Sequence, residues 1–221
     1  MAGKQELWGK EKIEKYAKAM EKESKWVYAP FARKIVKNLK PVERGLVIID
    51  LSTGPGFLSV ELNKLLPDAR IIGVDPSIEM LQIAKENAEK VGMSNYETKL
   101  GKAERIPLES NGADLVVNQY SLHEWGNPKQ GFLEILRVLK PGGRLILKDL
   151  NKDCPKWKLQ LFGLLIAIKS GRQSAKDHLS SYNIAFGLSE VIDLLREAGF
   201  DKIKGEGKGL ELFVQALKSY G

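Results

Sequence analysis

The run Leu-Val-Ile-Ile-Asp-Leu-Ser-Thr-Gly-Pro-Gly-Phe-Leu-Ser at residues 46–59 constrains this chain most. Its apolar opening, with β-branched Val47, Ile48 and Ile49, reads as a strand buried on both faces and so as part of a parallel sheet. Asp50 stands at the carboxyl end of that strand. Gly54 and Gly56 permit a turn that brings backbone close to a ligand, and helical spacing resumes from Phe57. Strand, glycine turn and helix together make a cradle for a nucleotide-like ligand at the carboxyl edge of an open sheet.

The rest of the chain narrows the ligand. A dinucleotide fold wants a small third residue, Gly or Ala, three positions after Gly56, and here that residue is Ser59. The carboxylate of Asp50 beside the turn would repel a pyrophosphate but suits a ligand carrying an ammonium and a sulfonium. A second apolar strand, 70–74, ends in Asp75, about 20 residues past the turn, where a ribose hydroxyl pair is held. That spacing serves NAD and S-adenosylmethionine (SAM) alike.

At 221 residues, 43% hydrophobic and 29% charged, the chain suits one α/β domain with a sizeable core. No apolar run is long enough to span a bilayer and the first residues lack a signal-peptide core, so a cytoplasmic protein is expected. A single cysteine, Cys154, with 2 histidines leaves no multi-Cys/His cluster, and no metal is expected. The net charge of +7 would suit nucleic acid or an anionic membrane. The lysines, however, are mixed with glutamates as on a solvated surface, which weighs against nucleic acid. The Lys/Glu richness also fits a heat-adapted source.

Residues 10–25 form an amphipathic helix with Ile13, Tyr16, Ala17 and Met20 on one face and Glu-before-Lys pairs at four-residue spacing. Trp26, Tyr28 and Phe31 follow, either packing in the core or walling a site, and Pro30 is placed to start a second helix. Residues 77–91 read as a helix with Met80, Leu81, Ala84, Ala88 and Val91 inward and Gly92 as its stop. Strands are expected at 96–100, 113–118 and 144–148. Asn127 caps a helix that turns Phe132, Leu133, Leu136 and Leu139 inward, and Pro141-Gly142-Gly143 breaks it. Residues 157–168 are apolar nearly all round, and 169–178 read as a basic loop. Ser189 caps a helix ended by Gly199, and 200–206 and 210–217 pair antiparallel across a Gly-Lys-Gly turn.

Taken in order, Asp50-Leu51-Ser52-Thr53-Gly54-Pro55-Gly56, Gly-Val-Asp75-Pro76-Ser, Gly-Lys102-Ala103-Glu104-Arg-Ile-Pro, Ser-Leu-His123-Glu-Trp-Gly-Asn-Pro and Leu-Lys-Pro-Gly-Gly resemble the motifs of class I SAM-dependent methyltransferases. The branch they resemble contains the ubiquinone and menaquinone enzymes. Together the motifs cover roughly residues 45–150, at spacings that βαβ crossovers require. The resemblance implies a Rossmann-like fold, seven strands mostly parallel with an antiparallel last strand, and helices on both faces. It implies one domain, 1–221: a helical cover (1–44), a cofactor core (45–150), a substrate-side insertion (151–187) and a final helix and hairpin (188–221). It further implies SAM as cofactor and S-adenosylhomocysteine as product. The binding set it implies is Asp50, Ser52, Thr53, Gly54, Gly56, Asp75, Pro76, Met80, Lys102, Ala103, Glu104, Asn118, Gln119 and His123. Two positions depart from the pattern: Ser52 replaces a glycine, and Lys102 replaces an acid that accepts from the adenine amino group.

Methyl transfer from a sulfonium needs alignment more than covalent help, and a base only where the acceptor must lose a proton. His123 at the end of strand four is the first candidate, with Tyr120 and Asp149 next; a capping or orienting role for His123 competes. His178 and Tyr182 could reach the acceptor. The reading is a methyltransferase acting on a small, partly apolar molecule, as a monomer or homodimer. The alternatives are an RNA or protein methyltransferase, an NAD(P)-dependent oxidoreductase and a non-catalytic SAM-binding regulator. The apolar stretch 157–168 is expected to roof the acceptor pocket, with a dimer interface as its rival.

Overall fold

The computed structural model describes residues 9–39, 45–207 and 209–220. Residues 1–8, read above as lacking a signal core, part of the 1–44 cover and Lys208 of the Gly-Lys-Gly turn lie outside the described residues. Seven strands make one sheet in the order β3-β2-β1-β4-β5-β7-β6. They are β1 (Val47–Leu51), β2 (Arg70–Asp75), β3 (Tyr96–Leu100), β4 (Ala113–Gln119), β5 (Leu139–Leu150), β6 (Asp201–Glu206) and β7 (Glu211–Leu217). The first five pair parallel, and β7 runs antiparallel to both β5 and β6. This is the mostly parallel sheet with a reversed last strand that the sequence implies.

The central strands carry apolar residues on both sides because both faces are covered. On one face, Phe31 and Ile35 of α1 (Lys10–Asn38) and Leu58 and Leu62 of α2 (Phe57–Leu65) pack on Ile48, Leu115 and Ile146. On the other, Phe132 and Ile135 of α4 (Pro128–Val138) and Val191 and Leu195 of α7 (Leu188–Ala198) pack on Ile49, Val116 and Leu145. Helix α3 (Ile78–Lys90) links β2 to β3. The strand order reverses between β1 and β4, so the crevice outside their carboxyl ends is where an open α/β sheet takes its ligand.

Several local expectations are corrected. Pro30 does not start a new helix, since α1 runs through it. Its missing N–H would have reached the carbonyl of Trp26, a residue 84% exposed, so water can take that carbonyl. Gln119 Nε2 donates to the next carbonyl, Val27 O, at 3.2 Å and ties the weakened turn to β4. Residues 169–178 are not a loop: α5 (Lys156–Ser170) ends at Gly171, φ +89°, and α6 (Arg172–Tyr182) follows. Packing supplies what a polar sequence hides, because α6 buries Ala175 and Tyr182 and lays Leu179 against Gly163.

Gly187, not Ser189, caps α7, its N–H donating to Glu190 Oε2 at 2.7 Å. Pro141-Gly142-Gly143 lies inside β5, where Gly142 N–H and Gly143 O pair with Lys218. Val91 and Leu133, expected inward, are exposed at their helix edges, and Ile135 and Val138 fill the core beside Phe132 instead.

Candidate active site at the carboxyl edge of the sheet

The glycine turn is fastened from beneath. Asp50 is buried, and its Oδ2 accepts from Thr53 Oγ at 2.8 Å and Ser59 Oγ at 2.6 Å. Burial pushes this carboxyl up to about 6 against the pull of those bonds. Asp50 therefore ties β1 to the first turn of α2, which is also what a serine at position 59 is for. Ser52, Gly54 and Gly56 all adopt positive φ, at 56°, 52° and 76°. A serine held there costs about 1 kcal/mol relative to a relaxed backbone. A Cβ on Gly56 would stand 2.9 Å from Ala84 Cβ, so α3 can approach only a glycine.

Asp75 closes the next corner. It has no exposed surface, and its two oxygens accept from Gly54 N–H at 2.8 Å and Ser77 N–H at 2.9 Å. Burial raises this carboxyl too, to about 6, with Asp50 and Glu124 nearby adding to the rise. Pro76 is half-buried between Asp75 and Ser77, which caps α3, and Met80 packs in the interior. The loop after β3 adjoins this corner, Gly101 N–H donating to Asp75 O. Within it the Lys102 side chain is exposed, Ala103 is buried, and Glu104 Oε1 accepts from Asn127 N–H at 3.0 Å.

Helix α1 lies over both carboxylates. Tyr16 and Tyr28 hydrogen-bond each other, Tyr16 beside Glu124 and Asp75, Tyr28 near Asp50 and with its ring centre 5.8 Å from that of Phe57. Burial pushes the Tyr16 phenol up to about 12. Of the aromatics expected to wall the site, Tyr28 does border it, Trp26 is at the surface, and Phe31 packs in the core against Phe213. Tyr16 was legible only as one residue of an apolar helix face.

At the end of β4, Asn118 Nδ2 donates to Leu51 O at 2.8 Å and to Ser121 Oγ at 2.6 Å. Asn118 Oδ1 and Gln119 Oε1 are buried acceptors with no donor among the described residues. Beyond them, His123 Nδ1 meets Asp149 Oδ1 at 2.7 Å, with both side chains buried. Asp149 also accepts the N–H groups of Leu122 and Leu150, each at 2.7 Å. The structure thus joins His123 to Asp149 and leaves Tyr120 apart. Tyr120, at φ +57°, gives its hydroxyl to Glu211, which also pairs with Lys148 Nζ at 3.0 Å. Lys148 and Asp149 are successive residues of β5 and so face opposite sides of the sheet. Burial lowers the Lys148 ammonium to about 8 and raises the Glu211 carboxyl. Neither residue stood out in the sequence, since a lysine and a glutamate in this Lys/Glu-rich chain carry no signal.

Of the residues in the insertion, Tyr182 is buried near Cys154 and Asp149, where burial raises its phenol. His178 is on the exposed side of α6, its ring bonded to Ser174 O at 2.8 Å. The apolar stretch of α5 sends Phe162 against Tyr182 at 6.4 Å between ring centres. Its Trp157, Leu161, Leu164, Leu165 and Ile168 face outward rather than into a cavity. Among the described residues no group of three His, Cys, Asp or Glu could hold a metal ion.

The corner has the chemistry to take SAM. The orphaned oxygens of Asn118 and Gln119 ask for donors, which an ammonium supplies. Asp75 keeps lone pairs for hydroxyl donors.

Sheet order, glycine turn and the acid at the end of β2 define the class I SAM-dependent methyltransferases. Residues 42–167 match the family described as a methyltransferase domain, and the chain belongs to that family. It is 27% identical over 184 residues to the demethylmenaquinone methyltransferase of Listeria welshimeri, covering 78% of this chain and 77% of that one. In structure it is similar to a SAM-dependent methyltransferase from Aquifex aeolicus, with a TM-score of 0.69, 22% identity, and 95% and 98% of the two chains covered. It is similar also to phosphoethanolamine N-methyltransferase 2 of Haemonchus contortus in complex with SAM, with a TM-score of 0.68, 16% identity, and 86% and 52% covered. The protein is a SAM-dependent methyltransferase, and the oxidoreductase alternative is set aside.

Proposed function

We propose that the enzyme methylates a small, partly apolar acceptor, with His123 as general base oriented by Asp149. The observation that carries this reading is the buried 2.7 Å contact between His123 Nδ1 and Asp149, beside the buried acceptors at the end of β4. The name of the Listeria relative, a demethylmenaquinone methyltransferase, favours an aromatic acceptor with an apolar tail. On this reading residues 45–150 hold the cofactor, 1–44 cover it, and 151–187 meet the acceptor. Asp75 binds the ribose, Ser52, Thr53, Gly54 and Gly56 the methionine end with Asn118 and Gln119, and Met80 and 102–104 the adenine side. Asp50 takes no ligand; it positions the turn.

Bound SAM supplies a methyl group on a sulfonium, an electrophile already activated. His123 Nε2 takes the proton that the acceptor loses as it becomes a nucleophile. Asp149 fixes the ring through Nδ1 and stabilises the imidazolium. Tyr16 and Tyr28 exclude water over the cofactor side, and Tyr182 borders the acceptor side near Asp149.

With demethylmenaquinone reduced to its quinol as acceptor, His123→Ala is expected to lower kcat by a factor on the order of 10²–10⁴ while leaving SAM affinity unchanged. Unaltered kcat in His123→Ala would remove the base and leave alignment alone.

A further inference from the structure

Helix α5 is apolar on more sides than the protein covers. Its inner side packs on α6 through Leu159, Phe162 and Gly163, the last with Leu179 against it. The opposite side carries Trp157 (62% exposed), Leu161 (50%), Leu164 (57%), Leu165 (57%) and Ile168 (75%). At about 100° per residue these form one continuous stripe roughly 100° wide. Lys156 and Gln160 border the stripe on one side, and Lys158 and Lys169 on the other.

Charge follows the stripe. Between Pro155 and Lys176 the chain contains Lys156, Lys158, Lys169, Arg172 and Lys176 and not one acid, in a protein with 28 acidic residues against 35 basic ones. The α5–α6 surface also holds an open groove of about 440 Å³, lined by Lys156, Leu159, Lys176 and Leu179 among others.

We propose that this face of α5 docks the enzyme on an anionic lipid bilayer, lying in the interface plane with Trp157, Leu161, Leu164, Leu165 and Ile168 among the acyl chains. The stripe supplies apolar contact, and the flanking lysines meet anionic headgroups, two signals that together give reversible attachment where either alone is marginal. A soluble apolar partner would accept the stripe equally. It would not account for a run from Lys156 to Lys176 with five basic residues and no acid in it, which is the complement of an anionic surface. No helix among the described residues is long and apolar enough to cross a membrane, so α5 lies on the bilayer and does not span it. The chain enters α5 from the carboxyl end of β5, beside Asp149, so docking would bring a bilayer to the acceptor side of the site.

The test needs neither SAM nor acceptor, so it stands or falls apart from the catalytic reading. The full chain is sedimented with phosphatidylcholine vesicles and with vesicles containing about 30% phosphatidylglycerol. Binding at least about tenfold stronger to the anionic vesicles, weakened by salt, is expected. Leu164→Glu with Leu165→Glu should abolish it, with the circular dichroism spectrum and cooperative thermal unfolding retained as proof of folding. Lys156→Gln with Lys158→Gln should weaken it about tenfold without touching the apolar stripe. No sedimentation with either vesicle overturns the proposal. So does equal binding to both that survives the glutamates. A homodimer in solution that Leu164→Glu splits, with vesicle binding absent, assigns the face to a second copy instead.

Discussion

Asp75, which we propose binds the ribose, and Asp50, which holds the glycine turn, are both carboxyls that burial raises from 3.8 to about 6. A raised carboxyl contributes stability that is present below its ordinary value and lost as pH rises through the folded one. These two therefore oppose folding of the free protein above about pH 6. Ribose hydroxyls donating to Asp75 favour its ionised form and pull its value back down. SAM affinity should then be flat above about pH 6 and fall below it, with a proton released on binding near that pH and none at about pH 8. Calorimetry in buffers of different ionisation enthalpy reads this directly, and equal affinity on both sides of pH 6 would contradict it. Asp75→Ala should weaken SAM by roughly 1.5–3 kcal/mol at the higher pH. Ser52 is the complementary case. Its positive φ marks the place of the glycine it replaces, yet Ser52→Gly also loosens the unfolded chain, so stability should change by less than about 1 kcal/mol. If the hydroxyl contacts the methionine carboxylate, Ser52→Gly leaves SAM affinity equal or lower; a large gain would mean that the Cβ obstructs.

At the scale of elements, β1 to β4 and the order of the crossovers were readable because periodicity, capping residues and glycine turns agree there. Tyr96–Leu100 is a strand in both readings, and Asn127 and Pro128 open α4 as expected. What failed were elements made by tertiary contact. Helix α6 has a polar sequence and exists because Ala175, Leu179 and Tyr182 find α5 and the insertion. Helix α1 passes through Pro30 because its far half is held by Phe31, Ala32 and Ile35 on the sheet and by Gln119 from β4. The proline remains a local weakness. Pro30→Ala restores an N–H to the carbonyl of Trp26 and should raise stability by about 1–3 kcal/mol, less the entropy the unfolded chain regains. Thermal or denaturant unfolding would show the gain, and a loss would mean that the proline sets a bend that the packing of Tyr16 and Tyr28 requires.

The molecule as a whole gathers one chemistry on one edge. The ends of β1, β2, β4 and β5 bring Asp50, Asp75, Asn118 with Gln119, and Asp149 to this edge, where Asp149 holds His123 from the turn after β4 and Tyr16 and Tyr28 of α1 lie near Asp75 and Asp50. The glycine turn with Asp50 and Asp75 was legible because these groups sit in motifs of fixed spacing. The Tyr120–Glu211–Lys148 cluster was not, since it joins residues some 90 positions apart through the antiparallel pairing of β5 and β7. The central claim is methyl transfer from SAM to an apolar acceptor at this edge. Its most direct test is incubation of the enzyme with methyl-labelled SAM and demethylmenaquinone reduced to its quinol, followed by extraction into organic solvent. Label in the extract, reduced with Asp75→Ala at limiting SAM and strongly reduced with His123→Ala, is the predicted result. Tight SAM binding with no label leaving the aqueous phase would contradict it.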